Sequence, residues 1–102
     1  MTSLDKIVHE RVRLLILTYL AGHTGQEVSF NELKDQLDLS AGNLSIQLKK
    51  LKAAGYVDID KTFKNNKPYT TIVITVAGAD ALTRYLDEME HMIKTLKKQT
   101  GK

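Results

Sequence analysis

Asn43 and Gln47 stand four residues apart, with Ser40, Ser45, Lys49 and Lys50 around them. At that spacing two side chains project from the same side of a helix. A carboxamide carries an acceptor beside a donor, a pattern that pairs bidentately with adenine or singly with other base edges. Ser40 and Ser45 are short enough for close hydrogen bonds to bases or phosphates, and Gly42 adds no bulk where a backbone would approach. Lys49, Lys50 and Lys52 suit phosphates, which give affinity and register but carry no sequence information. A second group follows downstream: Lys61, Lys64 and Lys67 around Asn65-Asn66, with no acid among them. It suits a neighbouring phosphate or a minor groove. Arg, the usual bidentate reader of guanine, is absent from residues 40–76.

Charge placement agrees with this chemistry. The 102 residues carry a net charge of +3. Residues 40–76 hold six Lys and two Asp, a net of +4, so the rest of the chain is close to neutral at −1. The surplus lies where a polyanion would be bound.

The elements that position these residues follow from apolar periodicity. Ile7, Val8, Val12, Leu15, Ile16, Tyr19 and Leu20 predict a first helix over 3–21, covered from two sides because Leu14 and Leu17 lie off the main face. Ser29-Phe30-Asn31-Glu32 has the form of a capping box and opens a short helix over 29–37, with Phe30, Leu33 and Leu37 inward. A tight turn leads to a third helix over 41–54, with Ser40 as N-cap, Leu44, Leu48 and Leu51 inward, and Gly55 as its stop. The period then changes to two over 56–60 and 69–74, a β-hairpin whose basic tip is the loop 61–68. Thr75 can cap a last helix over 76–97. Its residues Leu82, Leu86, Met89, Ile93 and Leu96 keep a heptad spacing. The expected fold is mainly α with a small β-hairpin (α+β): a winged helix-turn-helix in the order helix, helix, helix, strand, strand, helix. One domain spans 1–102, with the helix-turn-helix at 29–54 and the wing at 56–75. The first and last helices, 3–21 and 76–97, would form a dimer.

The run Phe30-Asn-Glu-Leu-Lys, then Leu39-Ser-Ala-Gly-Asn-Leu-Ser-Ile-Gln-Leu-Lys-Lys-Leu-Lys-Ala-Ala-Gly-Tyr-Val57, then Lys67-Pro-Tyr-Thr resembles the small stand-alone winged-helix transcriptional regulators related to the MarR and ArsR groups. The resemblance covers roughly residues 7–90. It implies a cytoplasmic homodimer on a palindromic operator in double-stranded DNA, with the third helix in the major groove and the hairpin as wing. Carried over by position, Ser40, Asn43, Ser45, Gln47 and Lys50 are the recognition-helix contacts. The chain departs from the pattern at Gln47, where relatives often carry His, and at Val76-Ala-Gly-Ala, where they often carry two acids and Gly-Arg.

The DNA-binding set read here is therefore Ser40, Asn43, Ser45, Gln47, Lys49, Lys50, Lys61, Lys64, Asn65, Asn66 and Lys67. The dimer set is Leu82, Tyr85, Leu86, Met89, Ile93 and Leu96. Zero Cys removes thiolate catalysis, disulfide frameworks and Cys-based zinc sites. His9, His23 and His91 show no paired metal spacing, and no phosphate loop or nucleophile motif occurs, so neither an enzyme nor a cofactor is expected. The longest apolar run, Leu14 to Leu17, is far below the ~20 residues of a membrane span, and no leader segment is expected. Any small-molecule effector would bind a cleft between the dimer helices and the winged body. The alternative to a regulator is a winged-helix protein-interaction module without sequence-specific DNA binding.

Overall fold

The computed structural model describes residues 4–100. The elements are α1 (Arg11–Gly22), α2 (Phe30–Gln36), α3 (Ala41–Ala53), β1 (Val57–Lys64), β2 (Lys67–Ile74) and α4 (Val76–Thr100). All of them enclose one apolar cluster. Its fully buried members include Ile16 and Leu17 of α1, Leu33 of α2, Leu44 and Leu51 of α3, and Val57 and Ile72 of the hairpin.

The first helix starts later than its apolar pattern suggested. Ser3, its expected start, lies outside the described residues. Asp5 turns its carboxylate back onto the amides of Ile7 and Val8, closing one isolated turn. Glu10 then adopts an extended backbone and caps α1 by accepting from the Arg13 amide. Two acidic caps thus divide what periodicity alone joined. The upstream turn still contributes Val8 to the core.

At α2, the Ser29 hydroxyl accepts from the Glu32 amide, as the capping box requires. The Glu32 carboxylate does not return to Ser29 but accepts the Tyr19 hydroxyl, tying α2 to α1. The turn into α3 passes through Asp38 at φ 54°, a left-handed conformation that a short polar side chain tolerates. Ser40 then caps α3 through the Asn43 amide. At the far end, Gly55 at φ 81° lets the chain reverse, and its own and the Tyr56 amide close the last turn.

The hairpin departs most from expectation. Residues 61–64 and 67–68 are strand, not loop: both strands run eight residues, paired from Val57 with Ile74 to Lys64 with Lys67. Asn65 and Asn66, at φ 54° and 63°, supply both left-handed positions of a two-residue type I′ turn. Asn accepts that conformation more readily than most residues, so a tight turn replaces the loop. A bridge from Ser29 to Thr71 and a bond from the Ile72 amide to the Val28 carbonyl dock a third short segment on β2.

At the start of α4, Thr75 accepts from the Gly78 amide and donates to the Gly55 carbonyl. This pins the helix against the end of α3. A Cβ on Gly78 would stand 2.2 Å from the Tyr56 carbonyl oxygen. Farther along, Leu82 and Tyr85 are buried in the chain's own core. Both belong to the expected dimer set, and within the protomer they anchor α4 to its own body. Beyond Met89 the helix leaves that body, and the molecule measures 60 × 25 × 23 Å. Its radius of gyration, 15.7 Å, exceeds the ~13 Å of a compact domain this size.

Two outcomes test this packing. Gly78→Ala should lose about 2 kcal/mol or more, at the upper part of the overpacking range, because the obstacle is backbone. Gly42→Ala, with nothing within 4 Å, should cost nothing and gain up to about 1 kcal/mol. Equal urea midpoints for the two variants would contradict the close approach. The second test is acid unfolding. Burial raises the Asp5 pKa, but the Tyr56 hydroxyl, the Val8 and Ile7 amides and Arg84 together outweigh it and hold it below the ordinary value. The stability that Asp5 contributes is present above about pH 4 and is lost as pH falls through the lower native value. Asp5→Asn should therefore lower stability by a constant amount between pH 6 and 8 and flatten the acid limb, so that variant and wild type converge at low pH.

Candidate nucleic-acid interface

Burial of Leu44, Leu48 and Leu51 fixes how α3 is rotated. With that face inward, Gly42, Ile46, Lys49 and Ala53 point directly away, and Ser45, Lys50 and Lys52 flank them, all exposed. Ile46, 55% exposed, is an apolar side chain at the centre of the outward face. The expected contacts had not included it, although its position opposite the leucines was available in the helical spacing.

Asn43 and Gln47 lie elsewhere, half-buried on the flank that meets α1. Gln47 Nε2 donates to Asn43 Oδ1 at 3.2 Å, and a guanidinium nitrogen of Arg13 donates to Gln47 Oε1 at 2.9 Å. Arg13 Nε also donates to the Ile7 carbonyl at 2.6 Å. Gln47, expected to pair with adenine or other base edges, has its acceptor engaged by Arg13 within the fold. Arg13 was not foreseen, since no periodicity links residues 34 positions apart. Ser40 uses its oxygen as the α3 cap, which leaves its O–H able to donate outward.

The hairpin brings its lysines beside α3, and its two faces differ. Directly paired residues share a face. Lys61 and Thr70 therefore lie with Ile59 and Ile72 on the side toward α3. With Phe30, Ser45, Leu48 and Lys49, the residues Ile59, Lys61 and Thr70 line an open cleft of about 260 Å³. Its floor is apolar, and its rim carries two ammonium groups and two hydroxyls. Asp58, Asp60, Lys64 and Tyr69 occupy the other face. There Glu27 accepts the Tyr69 hydroxyl and stands 3.9 Å from Lys64, whose ammonium lies 4.7 Å from the Tyr69 ring centroid. The hydrogen bond to Glu27, followed by desolvation, raises the Tyr69 pKa. Lys64 is thus partly neutralised, whereas Lys49 and Lys61 meet no carboxylate within 4 Å among the described residues. Asn65, Asn66 and Lys67 form the exposed tip, and Phe63 beside them is 76% exposed.

On α4, Leu86, Ile93 and Leu96 are about half exposed and Met89 is partly buried, so the outer part of the expected dimer seam lies at the surface. His9, upstream of α1, shares a 2.7 Å hydrogen bond with the Tyr85 hydroxyl. Among the described residues no helix is long and apolar enough to cross a membrane.

Comparison with known proteins decides the family. The profile of a winged helix DNA-binding domain matches residues 12–93. The chain belongs to that family. It is 36% identical, over 91 residues, to the uncharacterized protein MJ0432 of Methanocaldococcus jannaschii, covering 89% of this chain and 97% of that one. Among solved structures, a transcriptional regulator homologue from Pyrococcus horikoshii superposes with a TM-score of 0.82 at 28% identity, covering 90% of this chain and 89% of that one. A MepR–DNA complex from Staphylococcus aureus superposes with a TM-score of 0.64 at 19% identity, covering 84% and 61% of the respective chains. At that identity the likeness is one of fold: a MarR-like winged helix with a long C-terminal helix. In that frame α3 is the third helix of the winged-helix fold and β1–β2 its hairpin.

Proposed function

We propose that this chain is a homodimeric, sequence-specific transcriptional regulator that binds palindromic double-stranded DNA. The recognition helix would enter the major groove, and the wing tip would lie on the flanking backbone and minor groove. The observation that carries the reading is the basic-rimmed cleft between the wing and α3. Lys61 lies across it from Lys49 with no acid on its face of the wing, while Lys64 and Lys67 share the outer face with Asp58, Asp60 and Glu27. The structural relatives, a transcriptional regulator homologue and MepR in complex with DNA, support the same reading.

Each part has a role in binding. Lys49, Lys50, Lys61 and Lys67 would neutralise phosphates and give most of the affinity. The Ser40 hydroxyl and Ser45 would fix the register of the helix on the backbone. Ile46 offers an apolar contact of the kind that recognises the thymine methyl, and Asn43 reads a base edge. Dimerisation would use the distal α4 seam of Leu86, Met89, Ile93 and Leu96, together with the outer side of α1. It would set two recognition helices about 34 Å apart, one duplex turn.

Selection of bound duplexes from a random pool should return two inverted half-sites with centres about 10 base pairs apart. Lys49→Ala and Lys61→Ala should each weaken all duplexes alike and reduce the salt slope by about 0.9. A pool that returns no consensus, or salt slopes unchanged in both variants, would contradict the assignment and favour a protein-interaction module. Ile93→Glu, at an exposed position that leaves the core intact, should convert the dimer to a monomer in gel filtration and abolish preference for paired half-sites over a single one. A wild-type elution volume for that variant would place the dimer interface elsewhere.

A further inference from the structure

The Ile7 carbonyl, Arg13, Gln47 and Asn43 form a chain of hydrogen bonds with a forced direction. Guanidinium has donors and no acceptor, so the atom of Gln47 that meets Arg13 must be its carbonyl oxygen. The Gln47 amino group is thereby turned toward Asn43, and Asn43 must answer with its own oxygen. The Asn43 amino group is then the end left for the exterior. One cation on α1 thus determines which way two carboxamides on the recognition helix point.

Resting on the DNA-binding reading above, we infer that Arg13 is a specificity-determining positioning residue. It does not touch DNA. It fixes the polarity of the Gln47–Asn43 pair, so that Asn43 presents donors to the major groove and Gln47 serves as a buttress. The base edge that Asn43 meets must therefore carry an acceptor: purine N7, guanine O6 or thymine O4. Cytosine, whose edge there is the N4 amino donor, is rejected because two donors would face each other. Lys could not replace Arg13, since a single ammonium on a flexible stem cannot span the Ile7 carbonyl and Gln47 as a planar fork does. The bond to the Ile7 carbonyl extends this dependence to the turn before α1. Anything that displaces that turn would also loosen the reading head.

The experiment compares base preference, one position at a time, for Asn43→Ala, Arg13→Lys and Gln47→Glu, with binding to random duplex and thermal melting as controls. Arg13→Lys keeps the charge. It should flatten preference at the position Asn43 reads by roughly ten-fold, the scale of one good base contact, with random-duplex binding unchanged. Gln47→Glu keeps the bond to Arg13 but offers a second acceptor toward Asn43. Asn43 must then rotate and present its oxygen, so cytosine should move from least to most favoured at that position. In the free protein, the side-chain amide signals of both Gln47 and Asn43 should shift in Arg13→Lys. If Asn43→Ala loses preference at its position while Arg13→Lys and Gln47→Glu keep the wild-type profile, the positioning role is overturned and the DNA-binding reading stands. If Asn43→Ala binds every duplex as the wild type does, Asn43 reads no base. The relay then has no effect on specificity, whatever the amide signals show. Unshifted amide signals in Arg13→Lys would deny the relay without reference to DNA.

Discussion

The rotation of α3 about its own axis is the constraint on which the rest depends. Three leucines, Leu44, Leu48 and Leu51, are buried against α1 and the hairpin, and each would expose apolar surface if the helix turned. Losing one such side chain to water costs about 1.5–3 kcal/mol, so the orientation is strongly held. Once it is held, Gly42, Ile46 and Lys49 have no direction left but outward, and Asn43 and Gln47 are brought against α1. The caps reinforce the same outcome at both ends, Ser40 at the start and Gly55 at the stop. The outward face of α3 is the remainder of a core-packing solution.

On the proposed reading, affinity and discrimination would be carried by different parts of the molecule. The lysines at the cleft rim and wing tip are exposed and flexible, which suits phosphates and costs little in folding. The carboxamides are half-buried and held by the body of the fold. A reader that is already oriented loses less side-chain freedom on binding than a free one. On the outer wing face the acids do the opposite of binding. Glu27 holds Tyr69 and draws on Lys64, so with Asp58 and Asp60 beside them the face turned away from α3 carries no basic surplus.

Much of this was readable from residue order. Period-3.6 leucines located α2 and α3, the Ser caps placed both starts, and the change to period two found the hairpin. The surplus of lysines pointed to the two surfaces that the fold brings together. Other features depended on physical competition that periodicity does not register. The helix expected over 3–21 runs through Asp5 and Glu10, whose carboxylates break it by capping twice. The run Lys61–Pro68 looked like a loop because turn formers are abundant there, whereas two adjacent asparagines were enough to make the turn and leave the rest as strand. The heptad in α4 could not separate inner from outer positions. Leu82 and Tyr85 proved to belong to the protomer's own core, and only the three-dimensional end of the body at Met89 divides the seam. The Arg13 contact joins residues far apart in the chain and left no local trace.

The central claim is that α3 and the wing form one surface that meets duplex DNA. Titrating the labelled protein with a short duplex and following its backbone amide signals tests this directly. The account predicts that the signals that move are concentrated in residues 40–53 and 61–68, at concentrations that rise with salt. Movement confined to α2 or the outer wing face, with the α3 and wing-tip amides unmoved at saturating duplex, would contradict it.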